Sequence, residues 1–104
     1  MGLFSFLGSG KKKKAIDEAI AAGALIVDVR SPGEFQSGHV AGAENIPLQA
    51  IDKHLSRWQS TGRMIIFCCA SGMRSGSAAQ KASKAGIAAI NGGGWKGLER
   101  MLND

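Results

Sequence analysis

The apolar positions fall into short continuous runs separated by glycine-bearing turns. Residues 24–29 (ALIVDV) and 63–68 (RMIIFC) are unbroken enough to be strands buried on both faces, and 87–90 is a shorter run of the same kind. Between them the spacing changes to a helical one. Residues 15–22 (AIDEAIAA) predict a helix, with Gly23 placed to end it. Residues 48–58 predict a second, with Ile51, Leu55 and Trp58 on one side. Residues 75–85 predict a third, whose Ala78, Ala79, Ala82 and Ala85 allow close approach to a sheet, with Gly86 to stop it. Gly92-Gly93-Gly94 reads as a turn, Ser60-Thr61-Gly62 as another, and 95–102 as a closing helix. Strands alternating with helices imply an α/β domain with a central parallel β-sheet of four to five strands, flanked by helices on both faces. No internal repeat or second domain is visible. The domain is placed at 15–104 and a flexible apolar and basic tail at 1–14.

Two loops carry polar punctuation that a plain sheet does not require. Asp28 and Arg30 stand at the C-terminal end of the first run, where open α/β sheets place their ligand crevice. Ser31-Pro32-Gly33-Glu34 follows with N-cap, N1 and N3 residues of a capping box, so a short helix is expected through Gln36, stopping near Gly38. Residues 39–47 then lead through a loop to a short strand ending at Pro47. The second punctuated loop, Cys69-Ala70-Ser71-Gly72-Met73-Arg74-Ser75, joins the central strand to the alanine-rich helix. Strand, tight loop and helix aim unpaired backbone N–H groups at an anion. A cysteine there gains thiolate character from the helix dipole and from Arg74. The stretch reads as a nucleophile in an anion pocket.

Composition narrows the setting. The chain has 104 residues, with 44% hydrophobic and 20% charged, enough for one core. The net charge of +5 misleads, because Lys11 to Lys14 supply most of it. Without them nine basic residues face eight acidic ones, so the folded part does not present a nucleic-acid-binding face. The two cysteines are adjacent, which disfavours a disulfide and points to a reducing, cytoplasmic setting. Leu3, Phe4, Phe6 and Leu7 form a run too short to span a bilayer. The charge follows this run instead of preceding it, unlike a signal peptide, and Phe6 breaks the myristoylation pattern. The tail is either solvated or a weak membrane-surface contact, with Lys11 to Lys14 facing anionic lipid.

The chain resembles single-domain rhodanese-like sulfurtransferases. Four features carry the resemblance over roughly residues 24–100. They are the Asp28-Val29-Arg30 strand end, the segment from Glu34-Phe35 through Gly38-His39-Val40-Ala41-Gly42-Ala43 to Asn45-Ile46-Pro47, the Cys69…Gly72…Arg74-Ser75 loop, and Gly92-Gly93-Gly94-Trp95. The resemblance implies the rhodanese fold. It implies that Cys69 is the nucleophile and carries a persulfide in turnover, moving a sulfane sulfur from thiosulfate or a persulfide donor to cyanide, a thiol or a protein. It implies that Ala70, Ser71, Gly72, Met73 and Arg74 cradle the outer sulfur or an oxyanion through backbone N–H groups. No cofactor is called for. The family usually has a short strand before its first helix, where this chain has Lys11 to Lys14. Some members also carry Lys or Arg where this loop holds Ala70, Ser71 and Met73.

The remaining assignments follow from chemistry beside that resemblance. Covalent transfer through Cys69 predicts ping-pong kinetics. Cys68, one residue away on a strand, points to the other side and packs, or else resolves an oxidised Cys69. Arg74 neutralises the substrate anion and braces the loop. Ser75 is either the N-cap of the helix or a donor to the persulfide. Asp28, Arg30 and Glu34 are scaffold, through an expected Arg30–Glu34 pair. His39 hydrogen-bonds its loop, His54 is solvated, and Trp58 and Trp95 are core. Two distant histidines without an acidic cluster give no metal site. The rival enzymes are a Cys-loop phosphatase, whose cradle has five residues where Cys69 to Arg74 encloses four, and an arsenate reductase. The rival of another class is a non-catalytic or sulfur-relay protein-binding module, whose partner is a persulfide-carrying protein; the neutral loop positions favour the relay.

Overall fold

The computed structural model describes residues 2–104, and side chains from Gly10 onward. The elements run α1 (Gly2–Ala21), β1 (Leu25–Asp28), α2 (Pro32–Gln36), β2 (Glu44–Asn45), a 3₁₀ segment (Leu48–His54), α3 (Leu55–Thr61), β3 (Ile65–Cys69), α4 (Met73–Lys84), β4 (Ala89–Gly94) and α5 (Trp95–Leu102). The four strands form one sheet in the order β2-β1-β3-β4, every pair parallel. This is the α/β architecture that the alternating pattern predicts. Among the described residues no strand precedes α1, and no helix is long and apolar enough to cross a membrane.

β3 is central, and all five of its residues are buried. Strand side chains alternate between faces, and here the alternation divides the interior in two. Ile65, Phe67 and Cys69 join Val27, Val29, Ile51, Trp58, Ala78 and Ala82 on one face. Ile66 and Cys68 join Ile16, Ala19, Val40 and Leu98 on the other. α3 and α4 therefore cover one face, and α1 and α5 the other. The alanines of α4 work as their spacing suggests, with Ala78 and Ala82 fully buried and Ala79 and Ala85 packed at the margin. Trp58 lies edge-on to Phe67 at 5.7 Å between ring centres.

Several boundaries differ from the sequence reading. The first helix does not begin at residue 15; its backbone is helical from Gly2, so Lys11 to Lys14 are helical residues. The apolar side chains Leu3, Phe4, Phe6 and Leu7, on which membrane contact was read, lie outside the described residues. The helix expected over 48–58 opens as a 3₁₀ segment through His54 and becomes α-helical only from Leu55. The turn at 60–62 shortens to Gly62 alone, which takes the left-handed conformation that ends α3.

The largest correction concerns the glycine triplet. Gly92-Gly93-Gly94 is not a turn but the end of β4, pairing alongside Cys68 and Cys69 after a register shift between Phe67 and Cys68. The reason is clearance. A Cβ on Gly94 would sit 2.8 Å from the carbonyl oxygen of Ala70, so only glycine lets the strand run this close to the cysteine loop.

Candidate functional site

The C-terminal end of β3 delivers Cys69 directly into the loop. Gly72 adopts φ +100°, a left-handed conformation that costs other residues about 1–2 kcal/mol, and forms the N-cap of α4. This reversal folds the loop back over the sulfur. The Gly72 N–H donates to Cys69 Sγ at 3.0 Å, and the Ser75 N–H donates to it at 3.4 Å. The Ser75 hydroxyl oxygen lies 3.3 Å from the same sulfur. Cys69 thus sits at the N-terminus of a 12-residue helix, where unpaired N–H groups and the helix dipole favour negative charge.

Cys69 is 1% exposed. Burial pushes its thiol up. The Ser75 hydroxyl and the backbone N–H groups of Ser75, Ser71 and Gly72 outweigh that and hold it below its ordinary value. Cys68 has the opposite fate. It faces the α1 and α5 side of the sheet, and burial with no compensating donor pushes it up to about 12. Both cysteines are free. Adjacent thiols on one strand therefore divide into one poised for ionisation and one held neutral. The packing role read for Cys68 is where it sits.

Ser75 is not the N-cap. Gly72 holds that position, and Ser75 lies buried in the first turn of α4. Its hydroxyl donates to Asn91 Oδ1 at 2.7 Å. Asn91 is fixed in orientation from two further sides: its Nδ2 donates to the Gly72 carbonyl at 3.0 Å, and its Oδ1 accepts the Gly93 N–H at 2.9 Å. A hydroxyl has one proton to give. With Ser75 donating to Asn91, the Cys69 thiol donates to Ser75 Oγ. Once Cys69 ionises, the Ser75 hydroxyl is free to turn to the thiolate, and Asn91 Oδ1 keeps the Gly93 N–H. Asn91 was missed in the sequence. Its only local signal is a polar residue at the end of an apolar run, beside glycines.

The basic residues are arranged differently from expectation. Arg30 does not pair with the Glu34 carboxylate. It is buried against Asp28, donating from Nε at 3.0 Å and from Nη2 at 2.7 Å. It also donates to the carbonyls of Glu34 and Gly38, and its guanidinium lies 4.9 Å from the centre of the Trp95 ring. Arg30 therefore pins the loop after β1 from beneath. Glu34 instead meets Arg74, in a two-pronged pair at 2.8 and 3.0 Å. Arg74 holds the Glu34 carboxyl at about 2. The same carboxylate completes the capping box on Ser31, which forms as read. Arg74 thus ties the cysteine loop to α2, the bracing half of its expected role.

His39 keeps to its own loop, with Nδ1 2.7 Å from the Phe35 carbonyl oxygen and its ring stacked on Phe35. His54 is half-buried against Trp58, with Nδ1 3.0 Å from Arg57, so it is not simply solvated. Trp95 is half-buried rather than core. Ala70, Ser71 and Met73 are exposed, Met73 at 80%. Among the described residues no group of three or more His, Cys, Asp or Glu is placed to hold a metal. The site is a buried sulfur met by two backbone N–H donors and by a hydroxyl that can turn to it on ionisation, under a neutral, exposed loop. Such a cradle stabilises a thiolate, or the charge on a second sulfur attached to it.

Comparison with known proteins identifies the family and the fold. Residues 12–100 match the family model described as a rhodanese-like domain. The uncharacterized protein YqhL of Bacillus subtilis is 37% identical over 81 residues, covering 75% of this chain. The matched part spans 64% of the length of that relative. A rhodanese with anions from E. coli superposes with a TM-score of 0.67 at 31% identity, covering 72% of this chain and 91% of the other. A human single-domain sulfurtransferase superposes with a TM-score of 0.62 at 24% identity, covering 88% and 93% respectively, a likeness of fold.

Proposed function

The chain belongs to the rhodanese-like family, and from that premise we propose that it is a sulfurtransferase working through a persulfide on Cys69. The observation that carries the reading is the convergence of the Gly72 N–H, the Ser75 N–H and the Ser75 hydroxyl on one sulfur. The Cys69 thiolate attacks the outer sulfur of a donor such as thiosulfate. A new S–S bond forms, and sulfite leaves with the electron pair of the broken bond. The outer sulfur then lies at the mouth of the donor cradle. An acceptor, cyanide or a thiolate, attacks that outer sulfur and takes it as thiocyanate or as its own persulfide, and the Cys69 thiolate returns. No proton has to be removed by a base if Cys69 ionises at working pH.

Two features bear on the alternatives. The loop encloses four residues between Cys69 and Arg74, and Arg74 is turned to Glu34, an arrangement that suits a sulfur atom better than a tetrahedral phosphate or arsenate. The exposed, uncharged Ala70, Ser71 and Met73 favour a second version, in which the natural donor is a persulfide on another protein. Free cysteines at both positions fit a reducing compartment such as the cytoplasm.

Steady-state turnover with thiosulfate and cyanide, and separately with a small-molecule persulfide, tests the reading. Parallel double-reciprocal lines are expected with at least one donor, because donor and acceptor visit the enzyme in separate half-reactions. Intersecting lines, or no turnover with either donor, would overturn it.

A further inference from the structure

A sulfur donor such as thiosulfate carries its negative charge on an oxyanion next to the sulfur that is transferred. The cysteine loop offers that charge little. Ala70, Ser71 and Met73 are uncharged, and Arg74 is engaged by both oxygens of Glu34. A cation from elsewhere in the fold lies beside the loop.

α1 leads through a glycine turn into β1, so it runs against the direction of the strands. Going backward along α1 therefore leads toward the strands' C-terminal edge, where Cys69 sits. Ile16 and Ala19 bury the helix against Ile66, Cys68 and Leu98. Lys12 is one turn before Ile16, on the same side, and is half-buried. Its Nζ lies 2.6 Å from the point a Cβ on Gly93 would occupy, so it rests within about 4 Å of the Gly93 backbone. Gly93 pairs with Cys68 and adjoins the cysteine loop: its Cα is 3.4 Å from where a Cβ on Gly72 would be. Among the described residues no carboxylate pairs with Lys12; the ion pair of α1 joins Lys13 to Asp17.

We propose that Lys12 is a specificity-determining residue, an ammonium supplied by the first helix that binds the oxyanion carried by the sulfur donor. α1 is then a wall of the donor site, and its charge does the work that loop Lys or Arg residues would otherwise do. This rests on the sulfurtransferase reading, so two measurements separate failure of one from failure of the other.

The first compares Lys12→Gln, Lys13→Gln and wild type with thiosulfate and with an alkyl hydropersulfide, which carries no oxyanion and gives Cys69 its outer sulfur with the alkyl thiol as leaving group. Loss of one charge contact in Lys12→Gln should raise KM for thiosulfate about fivefold, with kcat little changed. The same variant should use the hydropersulfide as wild type does, and Lys13→Gln should match wild type with both. Equal thiosulfate KM in Lys12→Gln and wild type, or equal loss with both donors, would overturn the assignment. The second needs no sulfur transfer. Cys69 is alkylated by anionic iodoacetate and by neutral iodoacetamide in the Cys68→Ser background. The rate ratio of the two reagents cancels thiolate content, and should fall about threefold in Lys12→Gln and hold in Lys13→Gln. An unchanged ratio, or failure of both reagents to reach Cys69 in the folded protein, would overturn the proposal. A changed ratio in a protein that transfers sulfur from no donor would leave Lys12 at the site and overturn the sulfurtransferase reading alone.

Discussion

Replacing Ser75 with alanine removes the hydroxyl that turns to the Cys69 thiolate and leaves the two backbone N–H groups in place. Hydrogen bonds to a charged group contribute about 1.5–3 kcal/mol. The Ser75 hydroxyl gives up its neutral bond to Asn91 in order to serve the thiolate, which offsets about 1 kcal/mol of that. The net stabilisation of the thiolate is about 0.5–2 kcal/mol, or roughly one pKa unit at 1.36 kcal/mol per unit. The sign is fixed: the lost donor favoured the charged form, so the Cys69 pKa rises in Ser75→Ala. Asn91 Oδ1 still accepts the Gly93 N–H, so no buried acceptor is orphaned, and stability should fall by only about 1 kcal/mol. The assay is thiolate absorbance at 240 nm against pH, in the Cys68→Ser background, with alkylation rates as a second readout. The titration midpoint should move up by about one unit, and alkylation below both midpoints should slow about tenfold while its plateau at high pH is kept. Ser75→Thr, which keeps the hydroxyl, should restore most of the shift. A midpoint that stays put or falls in Ser75→Ala would refute the claim that this hydroxyl serves the sulfur.

Other predictions follow from the same geometry. Cys68→Ser should leave sulfur transfer unchanged, because that thiol faces the opposite side of the sheet and is held neutral up to about 12; a large loss of turnover would make Cys68 part of the chemistry. Glu34 has its carboxyl lowered from 4.5 to about 2 by Arg74, so its contribution to folding is present above about pH 4.5 and is lost as pH falls toward 2. Acid unfolding followed by circular dichroism should therefore depend less steeply on pH across that window in Glu34→Gln, and an unchanged slope would contradict the pairing. Asn91→Ala frees the Gly72 carbonyl and the Ser75 hydroxyl together. With no Asn91 acceptor competing for the Ser75 hydroxyl, the alkylation midpoint of Cys69 should fall by about 0.7 unit, whereas a raised midpoint would show that the Gly72 turn depends on its Asn91 anchor.

How much of this was legible in the sequence depends on whether the cause is local. β1 and β3 were visible because a strand buried on both faces must be continuously apolar. The alternation within β3 also separated Cys68 from Cys69 before any coordinates. The capping box of α2 was visible because Ser31 and Glu34 are three residues apart. What was hidden rests on distant partners or on residues that carry no pattern. The Glu34–Arg74 pair joins positions 40 apart, and nearby Arg30 looked the better partner for Glu34. Arg30 was taken instead by Asp28, two residues away, because both side chains turn to the same side of the strand end. Gly92-Gly93-Gly94 has no side chains to show a strand period. It is extended only because the cysteine loop passes too close for a Cβ. Asn91 was invisible for the same reason, since its partners Gly72 and Ser75 come from another strand-loop-helix unit.

The central claim is that Cys69, cradled by its loop, takes and gives up one sulfur atom. The most direct test is intact mass after brief exposure to thiosulfate or to a persulfide donor, on wild type, Cys68→Ser and Cys69→Ser. Wild type and Cys68→Ser should gain the mass of a single sulfur and lose it on adding cyanide or a thiol, while Cys69→Ser gains nothing. A gain that survives in Cys69→Ser, or no gain in any of the three with either donor, would contradict the account.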